Sequence, residues 1–72
     1  MNWFVEFNRI YDDLYEGRIE EDIALVDEFD TQLHSNKEFR DRVCEFIRFR
    51  GDPITSDREC MAYMLLLKKD FN

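Results

Sequence analysis

The sequence predicts an all-α fold, a compact four-helix domain over residues 1–72 with an apolar C-terminal helix at its centre. Eight successive apolar residues, Cys60-Met61-Ala62-Tyr63-Met64-Leu65-Leu66-Leu67, are the first observation. At the ~100° step of an α-helix these side chains point in every direction, and a helix that is apolar all round is normally a buried one. The run falls well short of the ~20 residues that a membrane-spanning helix needs. Second, only two glycines and one proline punctuate the 72 residues, which suits a few helices better than many short strands. Third, apolar residues recur elsewhere at helical spacing between recognisable caps.

The first helix is expected over Asn2–Glu16. Trp3, Phe7, Ile10 and Leu14 make its apolar stripe, widened by Phe4, Tyr11 and Tyr15, while Glu6, Asp12, Asp13 and Glu16 fall on the other side. Tyr11 and Tyr15 lie at the solvent edge of that stripe, and Gly17 is placed to end the helix. A second helix is expected over Ile19–His34, with Glu20, Glu21 and Asp22 in its first turn, where the helix dipole favours acids. Ile19, Ile23, Val26, Phe29 and Leu33 line its inner face, with Leu25 at the edge and Asp27 and Glu28 opposite. Asp30 projects between Ile19 and Ile23, so it calls for a cation from Arg40 or Arg50, because an unpaired buried carboxylate is costly.

Ser35-Asn36-Lys37-Glu38 has the S-x-x-E spacing of a capping box, and a third helix follows to about Arg50. Phe39, Val43, Phe46 and Ile47 form its inner face with Cys44 beside them. Phe49 lies roughly 60° beyond Phe46 on the wheel, next to Arg42. Gly51 and Pro53 stop that helix. Ser56-Asp57-Arg58-Glu59 is a second capping box, opening the apolar helix that runs to Phe71, and Lys68 and Lys69 suit its last turn.

Hydrophobic residues make up 44% of the chain and aromatics 15%, too apolar a mix for intrinsic disorder. Two cysteines, Cys44 and Cys60, make no disulfide framework, and both are expected to pack as small hydrophobes. The opening residues lack the basic and apolar regions of a secretory signal, so a cytoplasmic setting is expected. Net charge is −7, which argues against direct nucleic-acid binding and against anionic membranes. The charge is also uneven. Residues 1–35 hold ten acids against Arg9 and Arg18, a net −8, whereas residues 36–72 hold seven acids against eight bases, a net +1.

No catalytic constellation can be assembled. His34 is the one histidine, and there is no glycine-rich phosphate loop and no CxxC. Glu20-Glu21-Asp22 and the Asp27–Asp30 cluster lack the spacing and central glycine of a calcium loop and read as solvated helix face. The expectation is a non-enzymatic protein without cofactor or metal that binds another protein as an inhibitor, regulator or adaptor.

Two binding surfaces compete. An apolar and cationic edge of Tyr15, Arg42 and Phe49 has the residue types enriched at interface hot spots. Alternatively, Asp12, Asp13, Glu16, Glu20, Glu21, Asp27 and Glu28 form an acidic face that imitates DNA phosphates and inhibits a nucleic-acid-processing or host-defence enzyme, a strategy of small acidic phage proteins. Such a mimic should present its acids on one continuous surface; a docking module should instead hold Phe49 or Tyr15 outside the core. Surplus apolar surface at Ala62, Leu65 and Leu66 would favour a homodimer through the last helix. A DNA-binding helix-turn-helix using Arg40, Arg42, Arg48 and Arg50 is the weakest reading, since Asp41 and Glu45 intervene.

Overall fold

A computed structural model of the chain describes residues 2–71, with all their side chains but those of Asp70 and Phe71. Four helices follow one another: α1 (Trp3–Tyr15), α2 (Ile23–Ser35), α3 (Lys37–Arg50) and α4 (Asp57–Phe71). No described residue lies in a strand, and the fold is all-α, as the periodicity predicts. The last helix is the centre: α4 packs against α1 and α2, and α2 packs against α3. Met61, Ala62, Tyr63, Met64, Leu66 and Leu67 are buried, Ala62 and Leu66 to 0% exposure. Ala62 and Leu66 are thus covered within one chain and Leu65 is half-buried, so the surplus expected to favour self-association is largely used up by α1 and α2.

Long-range ion pairs fix the helix directions. Arg58 at the start of α4 meets Glu21 ahead of α2 at 3.0 Å, Lys68 near its end meets Glu28 at 3.4 Å, and Lys69 meets Glu6 of α1 at 2.8 Å. Hence α4 runs parallel to α2 and antiparallel to α1. Arg58 also lies over the rings of Tyr11 and Tyr15, 5.8 and 5.2 Å from their centres. Its Nε is buried without a hydrogen-bond partner, a penalty that the two cation–π contacts offset.

Caps explain the helix ends, including two that differ from expectation. Asn2 caps α1, its Oδ1 accepting from the Phe4 and Val5 amides at 3.0 and 3.2 Å. At the other end Gly17 has φ +78°, the Gly17 amide donates to the Leu14 carbonyl, and the Arg18 amide donates to the Asp13 carbonyl. This Schellman closure turns the chain out of the helical path. The Ile19 amide is also held by the Asp13 carbonyl, and α2 does not begin at Ile19 as the spacing predicts. It begins instead at Ile23, where the Asp22 side chain accepts from the Ala24 amide at 3.0 Å. Glu20 and Glu21 therefore precede the helix rather than occupy its first turn.

That shift also rotates the buried stripe. Ile23 is 63% exposed, while Val26 and Phe29 are buried, with Leu25 and Leu33 packed partly against the core. Asp30 shares the exposed side with Ile23 and needs no cation from a neighbour. The two arginines proposed for it work elsewhere. Arg40 donates to the Leu33 and His34 carbonyls at the end of α2, and Arg50 binds Glu59.

The second correction concerns the start of α3. Ser35 is the last residue of α2, and its hydroxyl donates to the Thr31 carbonyl at 2.7 Å. Asn36, extended at φ −126° and ψ 106°, ends α2 and caps α3, with Oδ1 accepting from the Phe39 amide at 3.1 Å. Glu38 is thereby released from the expected capping box and pairs with Arg42 at 3.5 Å. The box at α4 forms in both directions: the Glu59 amide donates to Ser56 Oγ at 3.2 Å and the Ser56 amide donates to Glu59 Oε1 at 3.3 Å.

Candidate functional site

The core is built from aromatic rings, and their bulk shapes the surface above them. Tyr63 of α4 meets Phe29, Phe39 and Phe46 edge-on, with ring centres 6.0, 5.9 and 5.3 Å away. Phe46 of α3 in turn meets Phe4 and Phe7 of α1 at 5.4 and 5.0 Å. Contact between α1 and α3 thus passes through rings. Helices separated by such side chains leave a furrow between their backbones.

The furrow is an open groove of about 770 Å³ lined by Asn2, Trp3, Phe4, Arg42, Glu45, Phe46, Phe49 and Tyr63. Phe49 stands at its edge, 70% exposed. Tyr63 contributes the floor; the residue is only 1% exposed, and burial, with a smaller push from Glu45 and against the pull of Arg42, holds its phenol up at about 12. No described residue hydrogen-bonds the Tyr63 hydroxyl. The volume lies within the ~300–1,000 Å³ typical of ligand pockets, and the lining combines aromatic anchors with an arginine, the residue types that dominate protein–protein hot spots.

Of the apolar and cationic edge expected from sequence, Arg42 and Phe49 come together in this groove, and Tyr15 does not join them. Tyr15 is 69% exposed at the far end of α1, beneath the Arg58 guanidinium. Twelve residues of helix separate it from Trp3, about 18 Å at 1.5 Å per residue. Trp3 and Phe4, which the helical spacing favours as core residues, are half-buried groove residues. The signal for them was available: adjacent aromatics on a helix point ~100° apart, so a single packing neighbour cannot cover both.

The acidic residues are interrupted by cations. Asp13 and Glu16 both pair with Arg18, the former at 2.7 Å. Glu21 and Glu28 pair with Arg58 and Lys68 of α4, while Asp12, Glu20 and Asp27 are exposed. Four of the seven acids are therefore partly neutralised where they stand, and three cationic side chains sit among them. Cys44, expected to pack, is exposed instead. Cys60 is half-buried, and burial together with Asp30, Asp57 and Glu59 pushes its thiol up to about 11; a protonated thiol there is a weak nucleophile.

A second cluster joins α3 to α4. The Arg50 guanidinium lies over the Phe7 and Phe46 rings at 5.2 and 5.9 Å, donates to the Pro53 carbonyl, and donates to Glu59 Oε2 at 2.6 Å. Burial pushes the Glu59 carboxyl up, but the hydrogen bonds and charge supplied by Arg50, Thr55 and Ser56 outweigh it and hold the group below its ordinary value. Among the described residues no group of three or more His, Cys, Asp and Glu side chains gathers as a metal site, and no helix is long and apolar enough to cross a membrane. No protein-family model, curated protein or solved structure matches the chain.

Proposed function

We propose that this chain is a non-catalytic binding protein that works in the cytoplasm by docking on another protein, as an inhibitor, regulator or adaptor, through the groove between α1 and α3. The observation that carries this reading is the exposure of Phe49 beside Trp3, Phe4 and Arg42. A small domain has every energetic reason to bury its large aromatics, and an aromatic left at the rim of an apolar groove is affinity held for a partner. The DNA-mimic alternative draws on the net −7 charge. It is weakened by Arg18, Arg58 and Lys68, which lower the negative potential along the acids they bind.

Affinity capture from host lysate with wild type and Phe49→Ser, at low and high salt and with added duplex DNA, tests both readings. Docking through the groove predicts a partner held at high salt, indifferent to DNA and lost with Phe49→Ser, while the variant's thermal unfolding stays within about 0.5 kcal/mol of wild type, as for surface substitutions generally. A partner shed by salt and DNA but retained by Phe49→Ser would transfer the function to the acidic face.

A further inference from the structure

The four helices are not held equally. Helix α4 packs closely on α1 and α2, and ion pairs to Glu6, Glu21 and Glu28 tie both its ends to the acidic half of the chain. Helix α3 packs closely on α2, but it reaches α1 and α4 through long side chains. Phe46 meets Phe4, Phe7 and Tyr63 with ring centres 5.4, 5.0 and 5.3 Å away. The Arg50 guanidinium lies over the Phe7 ring and binds Glu59 of α4 at 2.6 Å. The groove of about 770 Å³ lies beside these bridges.

The two ends of α3 are anchored differently. At its start a single residue, Asn36, separates it from α2 and caps it with an extended backbone. Arg40 donates to the Leu33 and His34 carbonyls, and Phe39 meets Phe29 of α2 edge-on at 5.5 Å. These partners all belong to α2, so a swing of α3 about Asn36 leaves them nearly in place. At its other end Gly51, with φ +83°, leaves the helical path, and residues 51–56 run on to α4. Extended, that loop reaches about 20 Å, whereas the Arg50–Glu59 pair holds its two ends within side-chain reach.

We infer that α3 opens as a unit about Asn36 while α1, α2 and α4 stay packed, and that Phe46 and the Arg50–Glu59 pair are its latch. Opening separates Phe46 from Phe4, Phe7 and Tyr63 and lifts Arg50 off Phe7 and Glu59. It uncovers Tyr63, which is 1% exposed in the closed form, so the groove is the narrow state of a wider aromatic face. The inference is independent of what docks there. A helix of 14 residues detached from its neighbours is marginal in water, so the opening is legible in exchange of its own amides.

Native-state hydrogen exchange, followed amide by amide as urea is raised below the unfolding transition, tests this. The α3 amides from Val43 to Ile47 should exchange roughly tenfold faster than those of Ala62 to Leu66 in α4, with a smaller urea dependence because less surface is exposed. Leu14→Val trims the core at the end of α1 away from Phe4 and Phe7. It should speed α4 exchange about fivefold and leave α3 within about twofold of wild type, since Leu14 stays packed when α3 opens. Arg50→Gln strips the latch and should speed α3 exchange about tenfold. Amides of α3 that exchange with the rate and urea dependence of α4 would show one all-or-none opening and overturn the inference. Earlier exchange of α1 or α2 would also overturn it, as would an α3 rate that rises with Leu14→Val as far as that of α4. An α3 rate unmoved by Arg50→Gln removes the latch. The wild-type pattern decides whether α3 opens first even where a variant fails to fold.

Discussion

Glu59 concentrates more structural roles than any other charged side chain described. Its Oε1 accepts from the Ser56 and Thr55 amides and hydroxyls, its Oε2 takes Arg50 at 2.6 Å, and Arg50 is itself stacked over two core rings. A capping side chain contributes ~1 kcal/mol, and stripping one partner from a half-buried pair leaves the other poorly solvated, so Glu59→Ala should cost about 2–3 kcal/mol. In a domain of this size that is a fall in Tm of roughly 10–20 °C. The pH dependence has a definite sign. The folded carboxyl titrates below its ordinary value of 4.5, so its stabilisation is complete above that value and fades as pH falls through the lower folded value. Urea unfolding of wild type and Glu59→Gln should therefore differ by a constant amount at neutral pH, and the difference should shrink below about pH 4.5. A gap that persists undiminished into strong acid would mean that the carboxylate charge is not the source of the effect.

At the scale of the elements, the two helix starts that depart from the sequence reading provide the sharpest test. Asn36 and not Ser35 caps α3, so Asn36→Ala should destabilise by ~1 kcal/mol and Ser35→Ala by much less, read by thermal unfolding. The reverse order would restore the S-x-x-E box. In α4, Leu66 is fully buried, and Leu66→Ala should cost about 2–5 kcal/mol, a fall in Tm of roughly 10 °C or more in a domain whose whole stability is of order 5–10 kcal/mol; a retained melting temperature would remove α4 from the centre of the core. Helix number, the end of α1 at Gly17, the end of α3 at Gly51 and the box at Ser56 were legible because each is written in a few neighbouring residues. The start of α2 was not. Ile19 fits the helical period and still packs against the core, but it does so from a loop, and hydrophobic spacing alone does not distinguish the two. In the groove, Arg42 and Phe49 were legible as a wheel edge on one helix. Trp3, Phe4 and Tyr63 joined them only through the distance that the Phe46 layer sets between α1 and α3, a tertiary fact without local signature.

For the whole molecule, charge imposes two opposed effects whose ranges differ. Seven excess negative charges are spread over a body of 32 × 26 × 25 Å, and they repel one another across it. Against this, Glu6, Glu21 and Glu28 tie the acidic half to α4 through contacts of 2.8 to 3.4 Å, each exposed and worth ~0–1 kcal/mol. At 0.01 M salt the Debye length is about 30 Å, comparable with the molecule, and the repulsion acts in full. At 0.15 M it is about 8 Å, which screens the distant repulsions while leaving contacts near 3 Å almost untouched. Raising NaCl from 0.01 to 0.15 M should therefore increase Tm by a few degrees, on the order of 1 kcal/mol. Towards 1 M the Debye length falls to about 3 Å, the ion pairs weaken as well, and the electrostatic gain should level off. A Tm that falls across the first interval, measured by circular dichroism in weak buffer, would mean that the three inter-element pairs outweigh the global repulsion, and the acidic half would then be held to α4 by charge as much as by Phe7, Leu14, Val26 and Phe29.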